Sequence, residues 1–263
     1  MANIGTWRSI TQVGTYEPFE LQVSRGQIQG HRNVTVFGFN SDVDTAQVSV
    51  WPLASLITFP AAALQMTVSS TNANDTSNGT GARTVVVQGL DANYNEVTET
   101  VTLNGQTAVT MTASLLRVNY AYVLTAGSGN SAAGDIYIGT GTVTAGVPAT
   151  TYDIIKFDYN TTITGSYTIP AGYTGYVSQG LFSAGQAGGS AQVEGRLLTR
   201  GTDNIRRTAA VTTVNNGVAD YVFEYPLVVP EKTTLEATAL ASSNNNGVSS
   251  MFIILLVQNY MQG

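Results

Sequence analysis

The chain has no cysteine, one histidine and few charged residues. Without cysteine it has no disulfide and no thiolate site for structural zinc or an iron–sulfur cluster. That absence leaves the compartment open, because only the presence of disulfides would point outside the cell. The lone histidine, His31, sits in Gly30-His31-Arg32 with no partner nearby in sequence, so a nucleophile–histidine–acid arrangement has no signature and His31 reads as structural. Charged residues make up 11% of the 263 positions, against about 25% in ordinary globular domains. Threonine, serine, asparagine, glutamine and glycine take their place. Such a surface loses little on desolvation and suits packing against protein neighbours; a threonine-rich exposed sheet face is the plainer reading. Net charge is −6, and the 11 Lys and Arg are scattered. Nucleic acid is not an expected partner, since it requires several aligned phosphate contacts. The nearest basic cluster is Arg196, Arg200, Arg206 and Arg207, expected on the solvated face of a hairpin, with pairing to a neighbour's carboxylates as the alternative.

Long apolar runs are missing too. Met251 to Val257 is the longest, far short of the roughly 20 residues of a membrane-spanning helix. The start, MANIGTWRSITQVG, lacks the charged-then-apolar pattern of a signal peptide. A soluble chain made in a cytoplasm, with no membrane partner, is expected. The Asn-x-Ser/Thr triplets at Asn33, Asn74, Asn78 and Asn160 then read as chance matches. Helix formers are scarce. Leu53 to Met66 holds the best run, but Pro60 divides it, and Ala108 to Val118 is a weaker candidate.

What is present is strand pattern. Val34, Val36 and Gly38 alternate with Thr35, Phe37 and Phe39. Val97, Val101 and Leu103 share a face opposite Thr98, Thr100 and Thr102, the pattern of a half-buried strand. Asn78-Gly79, Asn104-Gly105, Asn216-Gly217 and Asn244-Asn245-Asn246-Gly247 are turn signals. Downstream, strand runs are expected at 163–169, 173–183, 191–199, 205–214, 221–225, 233–241 and 248–257, enough for one antiparallel sandwich. The last run is apolar on both faces and should be a central strand, one face on the core and the other against a neighbour. The Gly/Thr/Pro-rich stretch Thr140 to Thr151 marks a boundary. The fold expected is all-β with very little helix: an N-terminal β-domain over 1–147 and a C-terminal jelly-roll-like β-sandwich over 148–263.

No constellation carries catalytic, cofactor or metal chemistry. Asp91 to Glu96 imitates the opening of a calcium loop, but Glu96 stands where glycine is required and Thr102 where a bidentate Glu is; it reads as a turn. Asp42 and Asp44 form a second acidic pair, for which a loop metal is the minor reading. The Gly-x-Gly pairs at 79/81, 127/129 and 139/141 lack a following helix pattern and read as turns. Glu96, Glu99, Glu194 and Glu224 fall on or beside strands and are expected in solvent. Among the 13 tyrosines, those in the least charged stretch, Tyr152, Tyr159, Tyr167, Tyr173 and Tyr176, are candidate interface residues.

Several blocks resemble virion proteins of tailed bacteriophages, those of marine cyanophages in particular. They are Gly26-Gln27-Ile28-Gln29-Gly30-His31 with Val36-Phe37-Gly38-Phe39-Asn40; Asp75 with Gly79-Thr80-Gly81-Ala82-Arg83; and Gly89-Leu90-Asp91 with Glu99-Thr100-Val101-Thr102-Leu103-Asn104-Gly105. Gly134-Asp135-Ile136-Tyr137-Ile138-Gly139-Thr140-Gly141 and Tyr167-Thr168-Ile169-Pro170-Ala171-Gly172 continue the series. The resemblance spans roughly residues 20 to 257 and implies a non-enzymatic structural protein of the particle, with no catalytic residues to carry over. A capsid decoration (cement) or head-fibre protein is expected, located in the virion. It would touch the major capsid protein or other virion proteins and assemble as a homotrimer. The alternative is a tail-associated adhesin recognising a host glycan.

Overall fold

The structure is a computed structural model and describes residues 17–186 and 191–259. Among these, one short helix, α1 (Phe19–Ser24), precedes sixteen strands arranged in two sandwiches.

The first sandwich is built from β1 (His31–Val43) and seven strands from the distal part of the chain: β10 (Ser166–Thr168), β11 (Tyr173–Gly185), β12 (Gln192–Arg200), β13 (Arg206–Asn215), β14 (Gly217–Val229), β15 (Thr234–Ala241) and β16 (Asn246–Gln258). One sheet runs β1-β16-β11-β14 and the other β10-β15-β12-β13, all antiparallel, with β2 (Val48–Ser49) added beside β15. With β1 and β10–β16 counted in chain order, the sheets run 1-8-3-6 and 2-7-4-5, which is a jelly roll. One core fills the space between them, with Val36, Val177, Phe252 and Ile254 from the first sheet against Val193, Leu235 and Ala237 from the second. The sheets approach closely at Gly195, where a β-carbon would lie 2.5 Å from the Phe182 ring.

The second sandwich is inserted between the first two strands of the jelly roll. Its sheets are β6-β3-β8-β9 and β5-β4-β7, from β3 (Leu64–Ser70), β4 (Ala82–Leu90), β5 (Glu96–Thr102), β6 (Val109–Leu115), β7 (Arg117–Ala126), β8 (Ile136–Thr144) and β9 (Val147–Ile155). Met66, Val68, Ile136 and Ile138 pack against Val85, Val87 and Val101. In β5 the threonines face solvent and Val101 faces the core, as the alternation requires.

These sheets divide the chain elsewhere than at 147/148. β1 belongs to the jelly roll, pairing with β16 from His31↔Val257 to Val43↔Asn246. The Thr140–Thr151 stretch is not a linker but the β8–β9 hairpin. Ala145 and Gly146 both have positive φ there, at 50° and 84°, as a two-residue hairpin turn with right-handed strand twist demands. Both helix candidates are strand or irregular: Leu64–Ser70 is β3, and β6 and β7 cover Val109 to Ala126. β-branched Val, Thr and Met-flanking Thr residues fit a pleated, half-buried surface better than a helix.

The two sandwiches are joined by side chains as well as by chain. Trp51, Ile57 and Ile154 form one small core at the joint, and Leu90, Tyr94 and Leu116 form another. Asn119 of β7 reads the backbone of Thr168 in β10 with both amide atoms, at 2.9 Å each. Arg32 of β1 pairs with Glu96 of β5 at 2.5 Å.

Candidate interaction surface and buried polar sites

The middle of the outer face of the first jelly-roll sheet is apolar where a solvated sheet would alternate to polar residues, and polar residues border it. Register places its outward residues in cross-strand rows. Phe37, Met251 and Leu181 form one row that ends in Asp220; Ile253 stands between Thr35 and Gln179, with Val222 beyond; Asn33, Leu255, Tyr176 and Val228 form a third, and Phe39, Ser249, Ser183 and Val218 a fourth. Met251, Ile253 and Leu255 are half-buried by their neighbours alone, while Phe37 is 55% and Val222 76% exposed. The expected character of the final run holds: β16 is central, with one face on the core. Among the described residues nothing covers its other face. Contiguous apolar exposure of this kind marks contact surfaces rather than ordinary exterior.

The edge beside this face is guarded. β14 is one edge strand of the sheet and β1 the other; at β14, Gln179 pairs with Val222 while Val177 pairs with Leu227, so Phe223–Pro226 bulge out opposite Ser178. The bulge, Pro226 and the exposed acids Asp220 and Glu224 all oppose strand addition. At this edge, contact through the face is therefore favoured over extension of the sheet.

The five sequence-predicted tyrosines do not form one surface. Tyr176 lies on the apolar face. Tyr167 is buried in the jelly-roll core, and its burial pushes its hydroxyl up from its ordinary value. Tyr173 packs against the same core with the Arg32 guanidinium 4.8 Å from its ring centre. Tyr152 packs against the inserted sandwich's core, and Tyr159 is exposed on the loop after β9. Phe37, Val218, Val222 and Val228, which dominate the exposed face, are residues that sequence reasoning missed or treated only as strand pattern. The signal was present for Phe37, since Phe37 and Phe39 alternate against the valines.

Other candidates have local explanations. His31 Nδ1 lies 3.0 Å from the Gln29 carbonyl oxygen, and Phe19 meets the ring edge to face. Asp91 accepts from Asn93 N and Asn95 N, closing its turn. Asp44 accepts from Asn245 N, holding the β15–β16 turn. Glu99 accepts from Thr112 N and Ala113 N and so has a structural task rather than a solvated one. Gly79, Gly81 and Gly127 let two loops close around the buried Asp75, which accepts from Ser70 Oγ (2.5 Å), Ala82 N (2.7 Å), Ala133 N (2.8 Å) and Gly134 N (3.0 Å).

The arginine cluster divides. Arg196 pairs with Glu194, Arg207 with Asp203, and Arg206 with the buried Glu236 at 3.1 Å. Arg200 is buried instead of solvated, and so is Arg117 at the start of β7; they keep 7% and 6% exposure. Their guanidinium carbons lie 4.9 Å and 4.3 Å from the centre of the same ring, Phe59. No carboxylate among the described residues pairs with either. Arg117 Nη1 donates to the Leu116 carbonyl and Arg200 Nε to Asn204 Oδ1, but Arg117 Nε and Arg200 Nη1 are buried with no acceptor among the described residues. Burial, and then the charge of Arg200, lower the Arg117 guanidinium from its ordinary value. A desolvated cation–π contact returns about 2 kcal/mol or somewhat more, whereas burying an ion costs several.

A cleft of about 620 Å³ lies between the sandwiches. Its walls include Arg32, Gln88, Glu96, Thr98, Asn119 and Tyr120.

No protein-family model and no curated protein matches the chain. Among solved structures, the VP2 subviral particle of infectious bursal disease virus is similar at 10% identity, over 88% of this chain and 73% of that chain, with a TM-score of 0.24. The infectious bursal disease virus Gx strain structure is similar at 9% identity, over 88% and 73%, with a TM-score of 0.23. The T13 viral particle of the same virus follows at 12% identity, over 87% and 72%, with a TM-score of 0.21. Likeness at this level carries no argument about what the chain does.

Proposed function

We propose that the chain is a non-enzymatic structural protein of a bacteriophage particle, a capsid decoration or head-fibre protein. The supporting observation is the uncovered apolar face of the β1-β16-β11-β14 sheet, which suits protein contact and no chemistry. The phage-like sequence blocks lie on both sandwiches and supply the context. In this reading the face packs against the major capsid protein, another virion protein or further copies in a homotrimer. Many weak contacts repeated around a shell reinforce it through avidity. The test is to heat or osmotically shock particles lacking the protein. Earlier rupture than in complete particles supports the reading, and unchanged survival removes it.

The second reading, a tail-associated adhesin, draws on the inter-sandwich cleft. Gln88 and Thr98 offer hydrogen bonds and Tyr120 an aromatic ring, the mixture that suits a sugar. Copy number separates the two: hundreds per particle for decoration, tens for an adhesin. Selective retention of one glycan on an array would favour the adhesin.

A further inference from the structure

We propose that Arg117 and Arg200 form a binding site for a small oxyanion, a phosphate or carboxylate group, at the joint between the two sandwiches. This goes beyond the particle reading and does not depend on it. Three guanidinium groups gather at the joint, those of Arg117, Arg200 and Arg206; the Glu236 carboxylate binds Arg206 and Ser49 and favours the charge of Arg200 from nearby, leaving two more positive charges than negative ones. Arg117 and Arg200 both lie against Phe59, each with a buried N–H group that no atom among the described residues accepts. The local excess of positive charge is unusual in a chain of net charge −6. A cation would be repelled, and a neutral ligand would leave the charge uncompensated. An oxyanion satisfies both needs, because its oxygens accept from the guanidinium forks while its charge offsets their repulsion. The segment that carries Phe59 lies at the surface, with Thr58, Ala61 and Ala62 exposed.

The full chain is titrated with sodium phosphate and, separately, sodium acetate, against sodium chloride at matched ionic strength. Tm is read by scanning fluorimetry and binding heat by calorimetry. The expected result is saturable binding of at least one anion with a Tm rise of about 2–5 °C over chloride. Arg117→Met and Arg200→Met keep a long side chain against Phe59 and are expected to lose that rise. Equal rises in wild type and variants would mark a general salt effect and overturn the site. Should both variants fail to fold, the wild-type titration decides alone: no saturable heat and no Tm rise at tens of millimolar of either anion overturns it. Sedimentation velocity distinguishes the sources. Phosphate that binds without changing sedimentation identifies a free-anion site; phosphate that binds and splits an oligomer identifies an acidic side chain of a second copy as the occupant.

Discussion

The Ser49 hydroxyl donates to Glu236 Oε1 at 2.6 Å, across 187 positions of sequence. The same hydroxyl oxygen accepts from Ile57 N at 2.8 Å, and the other Glu236 oxygen holds Arg206 at 3.1 Å. One fully buried carboxylate thus fastens the proximal part of the chain to β15 and neutralises one of three arginines at the joint. Glu236→Ala is expected to cost about 3–5 kcal/mol, because it leaves Arg206 unpaired beside Arg200. Urea denaturation measures this; a cost below about 1 kcal/mol would contradict the assigned role.

Asp153 is a buried carboxyl with no cationic partner among the described residues. Thr164 Oγ1 donates to it at 2.6 Å and Ile154 N at 2.8 Å. Burial raises it from 3.8 to about 7, although these hydrogen bonds pull the other way. The folded chain therefore keeps a proton that the unfolded chain has released. The associated stability is present in full below pH 4 and is lost as pH rises through 7, at up to about 1.4 kcal/mol per pH unit. Asp153→Asn is expected to be more stable than wild type at pH 8 and to lose this slope. A wild-type-minus-variant difference that stays constant from pH 5 to 8 would contradict the shift.

Gly195 leaves no room for a side chain, since its β-carbon would meet three Phe182 ring atoms at 2.5 to 2.7 Å. Gly195→Ala is expected to destabilise by about 1–3 kcal/mol through overpacking. Adding Phe182→Leu should recover part of that loss, and a double-mutant cycle reads the coupling. Strictly additive costs would place the strain elsewhere.

Val222 and Val218 are exposed on the apolar face and contribute little to the isolated chain. Val222→Lys with Val218→Lys is expected to change stability by no more than about 0.5 kcal/mol per site. The same pair should abolish self-association or attachment to particles, whereas Thr100→Lys on the threonine face of β5 should not. Sedimentation velocity and co-sedimentation with particles make the comparison.

The strands of the jelly roll were legible because their signals are local. Val34/Val36/Gly38 against Thr35/Phe37, the apolar run to Val257, and Asn216 and Asn245, both in left-handed turns with φ of 43° and 64°, place elements within a few residues. Long-range pairing was not legible. Nothing in the alternation of β1 says that its partner is β16, more than 200 positions away, so the division of the chain was expected in the wrong stretch. Thr140–Thr151 has linker composition, but two positive-φ residues make it a hairpin. The buried charges escaped for a related reason. Arg200 sits in a sequence as basic as Arg207, and only the packing of Phe59 against it, from a segment 141 positions earlier by residue number, buries it. Asp75 had a usable signal, its place just before the turn Asn78-Gly79-Thr80-Gly81, but its four donors come from strand ends and a loop that only the fold brings together.

The most direct measurement is a cryo-EM reconstruction of the intact particle with the chain's copies located. The account predicts many symmetry-related copies, each with the outer face of the β1-β16-β11-β14 sheet, and Phe37, Val222 and Leu255 on it, covered by another protein subunit. A particle free of the chain, or copies whose apolar face points into solvent while another surface makes every contact, would contradict it.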